Sequence, residues 1–272
     1  MLRQLKDDVY RYQIRGVSQS QIKRLLDISP KEFIEEIRIE ETPAMLKGTM
    51  VHSVALEGIE IIHDHFAIDD YISKTGKKRS NSREYQAFKK ELEHDARINN
   101  KTYIKQEDLE STRQMIKAVS DAWGKDSKQP LLAVEGLPEV CLYQLKIFGE
   151  HLGKGKIDFL PNTKPFIADL KTTANGLDDR SIKKKLLYDG WLLQAAYYHD
   201  LFQIETGESR TFVFLVVGKN YQTRTVKIPP RSDAMSYGRE QYLKGFQIYA
   251  DCVEKNEWLG YETYDASNLF IS

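Results

Sequence analysis

Along the 272 residues the spacing of apolar positions changes period once, and that change divides the chain. Up to about residue 125 the pattern is helical. Ser18 with Gln21, and Ser29 with Glu32, each have the spacing of a capping box, in which the serine accepts from a first-turn N–H and the longer side chain reaches back. Ile22, Leu25 and Leu26 follow the first box. Pro30 stands just inside the second, where its missing N–H costs nothing, and Phe33, Ile34 and Ile37 supply the apolar stripe after it. A short, mostly apolar helix is predicted over 48–57. Two more are predicted near 84–95 and 106–123, the second on the spacing Leu109, Met115, Ile116, Val119, Trp123. The polar, basic stretch 71–84 reads as a loop.

From about 138 to 172 the period becomes two. Three antiparallel strands are predicted, centred on Val140–Ile147, Ile157–Leu160 and Phe166–Lys171, with turns at Phe148–Glu150 and Pro161–Pro165. A helix near 190–205, a buried strand at Thr211–Gly218, a strand at Thr223–Ile228 and an amphipathic helix over 232–255 complete the chain. No repeat, low-complexity segment or linker interrupts it. The expectation is one α/β domain over 1–272, with a mainly helical N-terminal lobe at 1–125 and a sheet with flanking helices at 126–272.

Forty Lys and Arg balance forty Asp and Glu, which excludes a protein that coats nucleic acid with a uniformly basic surface but leaves room for a local basic patch. The longest unbroken apolar run, Phe212–Val217, is six residues, far short of a membrane span. The first residues lack the apolar core of a secretory signal, so a cytoplasmic location is expected. Two cysteines, Cys141 and Cys252, cannot form a disulfide framework or a four-cysteine zinc or iron–sulfur site, and both read as small core filler.

The segment richest in chemistry is Gly155-Lys156-Ile157-Asp158, followed by Asp169-Leu170-Lys171. In a strand, positions two apart share a face, so Asp169 and Lys171 point one way while Ala168 and Leu170 point to the core. Antiparallel pairing brings Asp158 beside Asp169. Two carboxylates so close repel unless a cation lies between them, and hard oxygen donors suit magnesium or manganese. With Lys171 to orient or deprotonate a water on the metal, this is equipment for phosphodiester hydrolysis. The plainer reading is a turn-capping Asp158 and a surface Asp169–Lys171 pair. The continuous apolar run Phe166-Ile167-Ala168 argues against so exposed a strand.

This arrangement resembles the PD-(D/E)XK nuclease superfamily, and within it the RecE-like (exonuclease VIII) exonucleases of phages and prophages. The resemblance runs in order from about residue 16 to 260: Gly16-Val17-Ser18, the G-x-x-x-H of Gly48 to His52, the D…D-x-K set with Thr172-Thr173, the Q-x-x-x-Y of Gln194 to Tyr198, and the strand Thr211–Val216. It implies a restriction-endonuclease-like core, a mixed central sheet flanked by helices. It implies that Asp158, Asp169 and the Leu170 carbonyl hold the metal, magnesium with manganese able to substitute, and that Lys171 is the catalytic lysine. Glu139 falls where the family has a strand glutamate near the metal, although an exposed strand-edge charge reads as well. His52 would be a ligand or a group holding one, against a plain helix-packing histidine. Gln194 and Tyr198, one turn apart, would face the site or simply pack. The remaining histidines, including His94, His151 and His199, read as surface residues.

Phosphate contacts are expected from Arg180, Lys183, Lys184 and Lys185, and from Lys77, Lys78 and Arg79, as backbone contacts without base readout. The resemblance further implies exodeoxyribonuclease action on the ends of linear double-stranded DNA, 5′ to 3′, leaving 3′ strands for a RecT-like single-strand annealing protein. It also implies a ring-like homo-oligomer. There is no iron–sulfur cluster and no membrane partner in this picture. A structure-specific or restriction-type endonuclease on the same fold is the alternative, and a non-catalytic DNA-binding or assembly module is the second.

Overall fold

A computed structural model describes residues 3–5, 9–35, 43–57, 66–71, 82–99, 101–124 and 135–261. The chain opens with two short strands, β1 (Arg3–Gln4) and β2 (Val17–Ser18), separated by one turn of π-helix at Val9–Gln13. Both predicted capping boxes form: Ser18 starts α1 (Gln19–Asp27) and Ser29 starts α2 (Pro30–Ile34), each with its reciprocal Gln21 or Glu32 bond. α3 (Pro43–Glu57), β3 (Phe66–Asp69), α4 (Arg83–Ile98), β4 (Thr102–Lys105) and α5 (Gln106–Trp123) complete the N-terminal lobe. Its described residues are mainly helical, and among them are four strands that the sequence pattern does not announce. β3 and β4 pair in parallel as a separate small sheet. Asp69 is fully buried there and accepts bonds from the hydroxyls of Tyr85 at 2.7 Å and Tyr103 at 2.8 Å, which fastens α4 to both strands.

The main sheet follows. β5 (Gly136–Phe148), β6 (His151–Pro161) and β7 (Phe166–Thr173) form the predicted antiparallel meander. α6 (Asp179–Tyr188) and α7 (Trp191–Thr206) then cross over, so β8 (Thr211–Gly218) pairs parallel to β7, and β9 (Thr223–Ile228) returns antiparallel. α8 (Asp233–Lys255) closes the described fold apart from a short tail. Among the described residues the sheet order is β1-β5-β6-β7-β8-β9.

Each face of the sheet is covered. On one, α7 and α8 pack with α1 over a core that includes Ile157, Ile167, Phe212 and Phe214. On the other, α3 and α5 bring Val51, Met115, Val119 and Trp123 against Phe159, Ala168, Leu170 and Leu215. Burial on both faces explains the near-continuous apolar runs of β7 and β8, which only a sandwiched strand needs.

Two irregularities position the chemistry. β6 runs beside β5 along its length, but its other edge is shared: Val17 and Ser18 of β2 lie parallel to Gly153 and Lys154, and β7 joins where Phe159 faces Ala168. Asp158 therefore sits where β6 and β7 part. Ile157 and Phe159 ought also to share a face, being two apart, yet they enter opposite cores, so the strand turns over at Asp158. Across from it, between the Pro138–Phe159 and Val140–Ile157 pairs, Glu139 has φ 54°, a left-handed conformation that is costly for a side chain with a Cβ.

Candidate active site

The parting of β6 and β7 frees backbone groups and fills the gap with side chains. Leu170 donates its N–H to Asp158 Oδ2 at 2.8 Å, so the carboxylate replaces a ladder carbonyl. His52 Nε2, reaching in from α3, lies 2.5 Å from the same oxygen. Its Nδ1 lies 3.7 Å from Glu139 Oε1, and Lys156 is ion-paired to the other Glu139 oxygen. One ligand atom each from His52, Glu139 and Asp158 can be chosen so that all three lie within 4.8 Å of one another.

Asp169 forms the second half of the site. It is 2 % exposed and stands between two partners. Gln194 of α7 donates to Oδ2 at 2.5 Å, and Lys171 Nζ lies 2.7 Å from Oδ1. Apart from that ammonium, no hydrogen-bond donor reaches Oδ1 among the described residues. Lys171 also rests over the Phe214 ring at 5.9 Å, which restricts where its ammonium can go. Tyr198, one turn after Gln194, is buried with its ring against Gly155.

The electrostatics follow from crowding and burial. Burial disfavours a charged His52, but the Asp158 charge and hydrogen bond outweigh it and raise the imidazole to about 9. Burial would likewise raise Asp158, yet the facing His52 holds its carboxyl below the usual range. Asp169 is pushed up to about 6, by burial first and by the Asp158 charge second, against the pull of Lys171. Glu139 is raised by burial despite Lys156. Burial, with the charges of both aspartates nearby, lifts the Tyr198 phenol well above its ordinary value. Three carboxylates on three adjacent strands, Glu139 on β5, Asp158 on β6 and Asp169 on β7, and an imidazole are a donor set that fits a hard divalent cation.

The structure brings Asp158, Asp169, Lys171, Glu139, His52 and Gln194 to one place, with Tyr198 packed behind them. Asp158 groups with Glu139 and His52, while Asp169 is set by Lys171 and Gln194. Leu170, expected to offer its carbonyl, contributes its N–H to Asp158. Lys156 is the site residue to which sequence reasoning gave no role. The available signal was its position two before Asp158 on one strand.

Two expectations need correction. Lys185, placed among the phosphate contacts, is buried: its ammonium pairs with Asp189 at 3.3 Å and lies over the Trp191 ring at 5.4 Å, bracing α6 on α7. Arg180, Lys183 and Lys184 are exposed on the same helix. His199, read as a surface residue, is 1 % exposed and bonded to Asp200 and Ser209. α7 is buried around most of its circumference, so no polar face marks the histidine. Lys77, Lys78 and Arg79 lie outside the described residues.

A mixed sheet flanked by helices, whose antiparallel strands β6 and β7 carry D…D-x-K, defines the class, a PD-(D/E)XK-type fold. Residues 18–266 match the family described as a PDDEXK-like domain of unknown function, DUF3799, and the chain belongs to that family. Among solved structures it is similar to a protein described as a putative exonuclease from Eubacterium rectale, with a TM-score of 0.59, 14% identity and 99% of each chain covered. The structure of a protein called SSO0001 superposes with a TM-score of 0.31 at 11% identity, over 88% of this chain and 86% of that one. No curated protein matches.

Proposed function

We propose that this protein is a divalent-cation-dependent exodeoxyribonuclease acting on the ends of linear double-stranded DNA. The observation that carries the reading is the placement of His52, Glu139 and Asp158 beside the Asp169–Lys171–Gln194 set, at the point where β6 and β7 diverge. His52, Glu139 and Asp158 would hold the cation, with the Asp169–Lys171 pair beside them. When bound, magnesium or manganese supplies Lewis acidity and a strong nucleophile at neutral pH.

The chain's own residues do the rest. Asp158 is fixed by two donors, so it enters the site preorganised. Gln194 fixes Asp169, and Asp169 in turn tethers the Lys171 ammonium, which orients the attacking water or offsets charge gathering on the phosphate. Lys156 neutralises Glu139, so the carboxylates do not repel a phosphodiester outright. Arg180, Lys183 and Lys184 take backbone phosphates without reading bases.

Action at ends, 5′-to-3′ polarity, a 3′ strand passed to a RecT-like annealing protein and a homo-oligomeric ring are the parts of this reading supported by the RecE resemblance. The described exonuclease neighbour supports the first of them. The test is linear duplex labelled at the 5′ or the 3′ end, beside covalently closed circular DNA, with magnesium, manganese or EDTA. Metal-dependent release of 5′ label with intact circles is expected. Nicked circles would make the protein an endonuclease, and cleavage persisting in EDTA would sink the mechanism.

A further inference from the structure

We propose that the groove between α5 and the β8–β9 turn is the track for one DNA strand leaving the catalytic cluster, and that Tyr221 stacks a base in it. The proposal rests on the nuclease reading and extends its substrate contacts beyond the residues considered so far.

The groove has a volume of about 800 Å³ and is lined by Gln114 and Lys117 of α5, Leu177, and Tyr221, Gln222 and Arg224 at the β8–β9 turn, with others. It lies beyond the C-terminal end of β7, the strand that carries Asp169 and Lys171. The turn is bonded to that end, Lys219 donating its N–H to the Thr173 carbonyl at 3.0 Å. Asp169 and Thr173 are four residue steps apart along the strand, roughly 13 Å. That distance is about four nucleotides of a duplex strand at their helical spacing.

Tyr221 is the unusual residue. It holds φ 63°, a left-handed conformation that glycine or asparagine fills at low cost and a bulky aromatic does not. Its N–H donates to the Gly218 carbonyl at 2.8 Å, and Gly218 in turn donates to Gln222, so the turn itself is regular. The residue remains 38% exposed where it lines the groove. A strained backbone that presents an exposed aromatic is a reason to look for a ligand.

The remaining lining matches a nucleotide strand. Tyr221 and Leu177 offer a flat, apolar surface for a base. Gln114 and Gln222 offer amides. Lys117 and Arg224 offer positive charge: Lys117 is paired with exposed Asp121 at 2.6 Å, and Arg224 with exposed Asp179 at 2.5 Å while it also donates to the Leu177 carbonyl at 2.6 Å. Such exposed pairs are weak enough to be exchanged for phosphates. Exposed Lys219 and the α6 cations Arg180, Lys183 and Lys184 carry the positive charge onward. A groove with cations free to exchange partners and one aromatic platform is how sequence-tolerant binding of single strands is built.

The experiment measures fluorescence anisotropy of labelled oligothymidylate, and of duplex with a single-stranded tail, on full-length protein carrying Asp169→Asn so that the probes survive. Tyr221→Ala and Tyr221→Gly should weaken binding roughly five- to hundredfold, and Tyr221→Phe should keep it. Tyr221→Gly relieves the left-handed strain, so its thermal midpoint should hold or rise, which separates lost stacking from lost folding. Parent-like affinity in both Tyr221→Ala and Tyr221→Gly would overturn the proposal while leaving the nuclease reading in place. A parent that binds neither probe would overturn the proposal, and wild-type protein that also fails to cleave DNA would remove the nuclease reading with it.

Discussion

Gln194 donates to Asp169 Oδ2 at 2.5 Å from a helix face buried against the strand that bears the carboxylate. It is a directed hydrogen bond to a charge that water barely reaches. Gln194→Ala therefore leaves a buried carboxylate oxygen unpaired, at a cost of about 1.5–3 kcal/mol for a bond to a charged group. Because Asp169 also tethers Lys171, the loss should appear in the chemical step. We predict a single-turnover cleavage rate lower by roughly ten- to hundredfold, with DNA affinity retained. A wild-type rate in this variant would detach Gln194 from the site and return it to ordinary helix packing.

Gly48 and His52 lie one turn apart on α3. A Cβ added at Gly48 would stand 3.0 Å from Thr172 Oγ1, so the missing side chain is what lets α3 approach β7. That approach delivers His52 to Asp158. Gly48→Ala meets only a hydroxyl that can rotate and should be tolerated. Gly48→Leu cannot be seated without moving the helix, and overpacking of this kind costs about 1–3 kcal/mol. The prediction is that Gly48→Leu lowers manganese affinity, measured by calorimetric titration, as much as His52→Ala does, while Gly48→Ala stays near wild type. Equal manganese affinity in all three would mean that His52 is no ligand.

These two residues also show how far the sequence could be read. Asp158, Asp169 and Lys171 were legible because strand periodicity and one short turn suffice to bring them together. Gln194 and His52 were legible as motif positions, but their contacts are tertiary and no local pattern predicts a distance of 2.5 Å. The two-residue strands β1 and β2 are too short to show a period, and β2 pairs with a strand more than a hundred residues away. Lys156 and Lys185 are not told apart by sequence, each a lysine followed by an aliphatic residue, Ile157 or Leu186. Only packing makes the first a partner of Glu139 and the second a brace for α6.

The division within α6 is testable. Lys183 and Lys184 are exposed, while Lys185 is committed to Asp189 and Trp191. Removing two phosphate contacts should weaken DNA binding and flatten the slope of log affinity against log salt by about two. Lys183→Ala with Lys184→Ala is expected to do this without loss of stability. Lys185→Ala should do the reverse, lowering the thermal midpoint while leaving the salt slope alone. If Lys185→Ala changed the slope as much as the double variant, the correction made to its role would be wrong.

The junction of α7 and α8 carries its own pH dependence, away from the cleavage chemistry. Asp200 accepts from Arg239 Nε at 2.7 Å, Arg239 Nη2 at 2.8 Å and the Tyr242 hydroxyl at 2.7 Å, and it lies 2.8 Å from His199 Nδ1. Burial alone would raise this carboxyl. The bonds from His199, Arg239 and Tyr242 outweigh burial and hold it at about 2, below the ordinary 3.8. A depressed carboxyl favours the folded state only when ionised. Its contribution is complete above the unfolded value and is lost as pH falls through the folded one, here between about pH 4 and pH 2. The shift corresponds to about 2 kcal/mol. Asp200→Asn should thus lower stability at neutral pH by about that amount, and its deficit relative to wild type should shrink across the same acid window. Urea midpoints at a series of pH values measure both. A deficit that stays constant down to about pH 2 would show that the residue acts through shape and not through its charge.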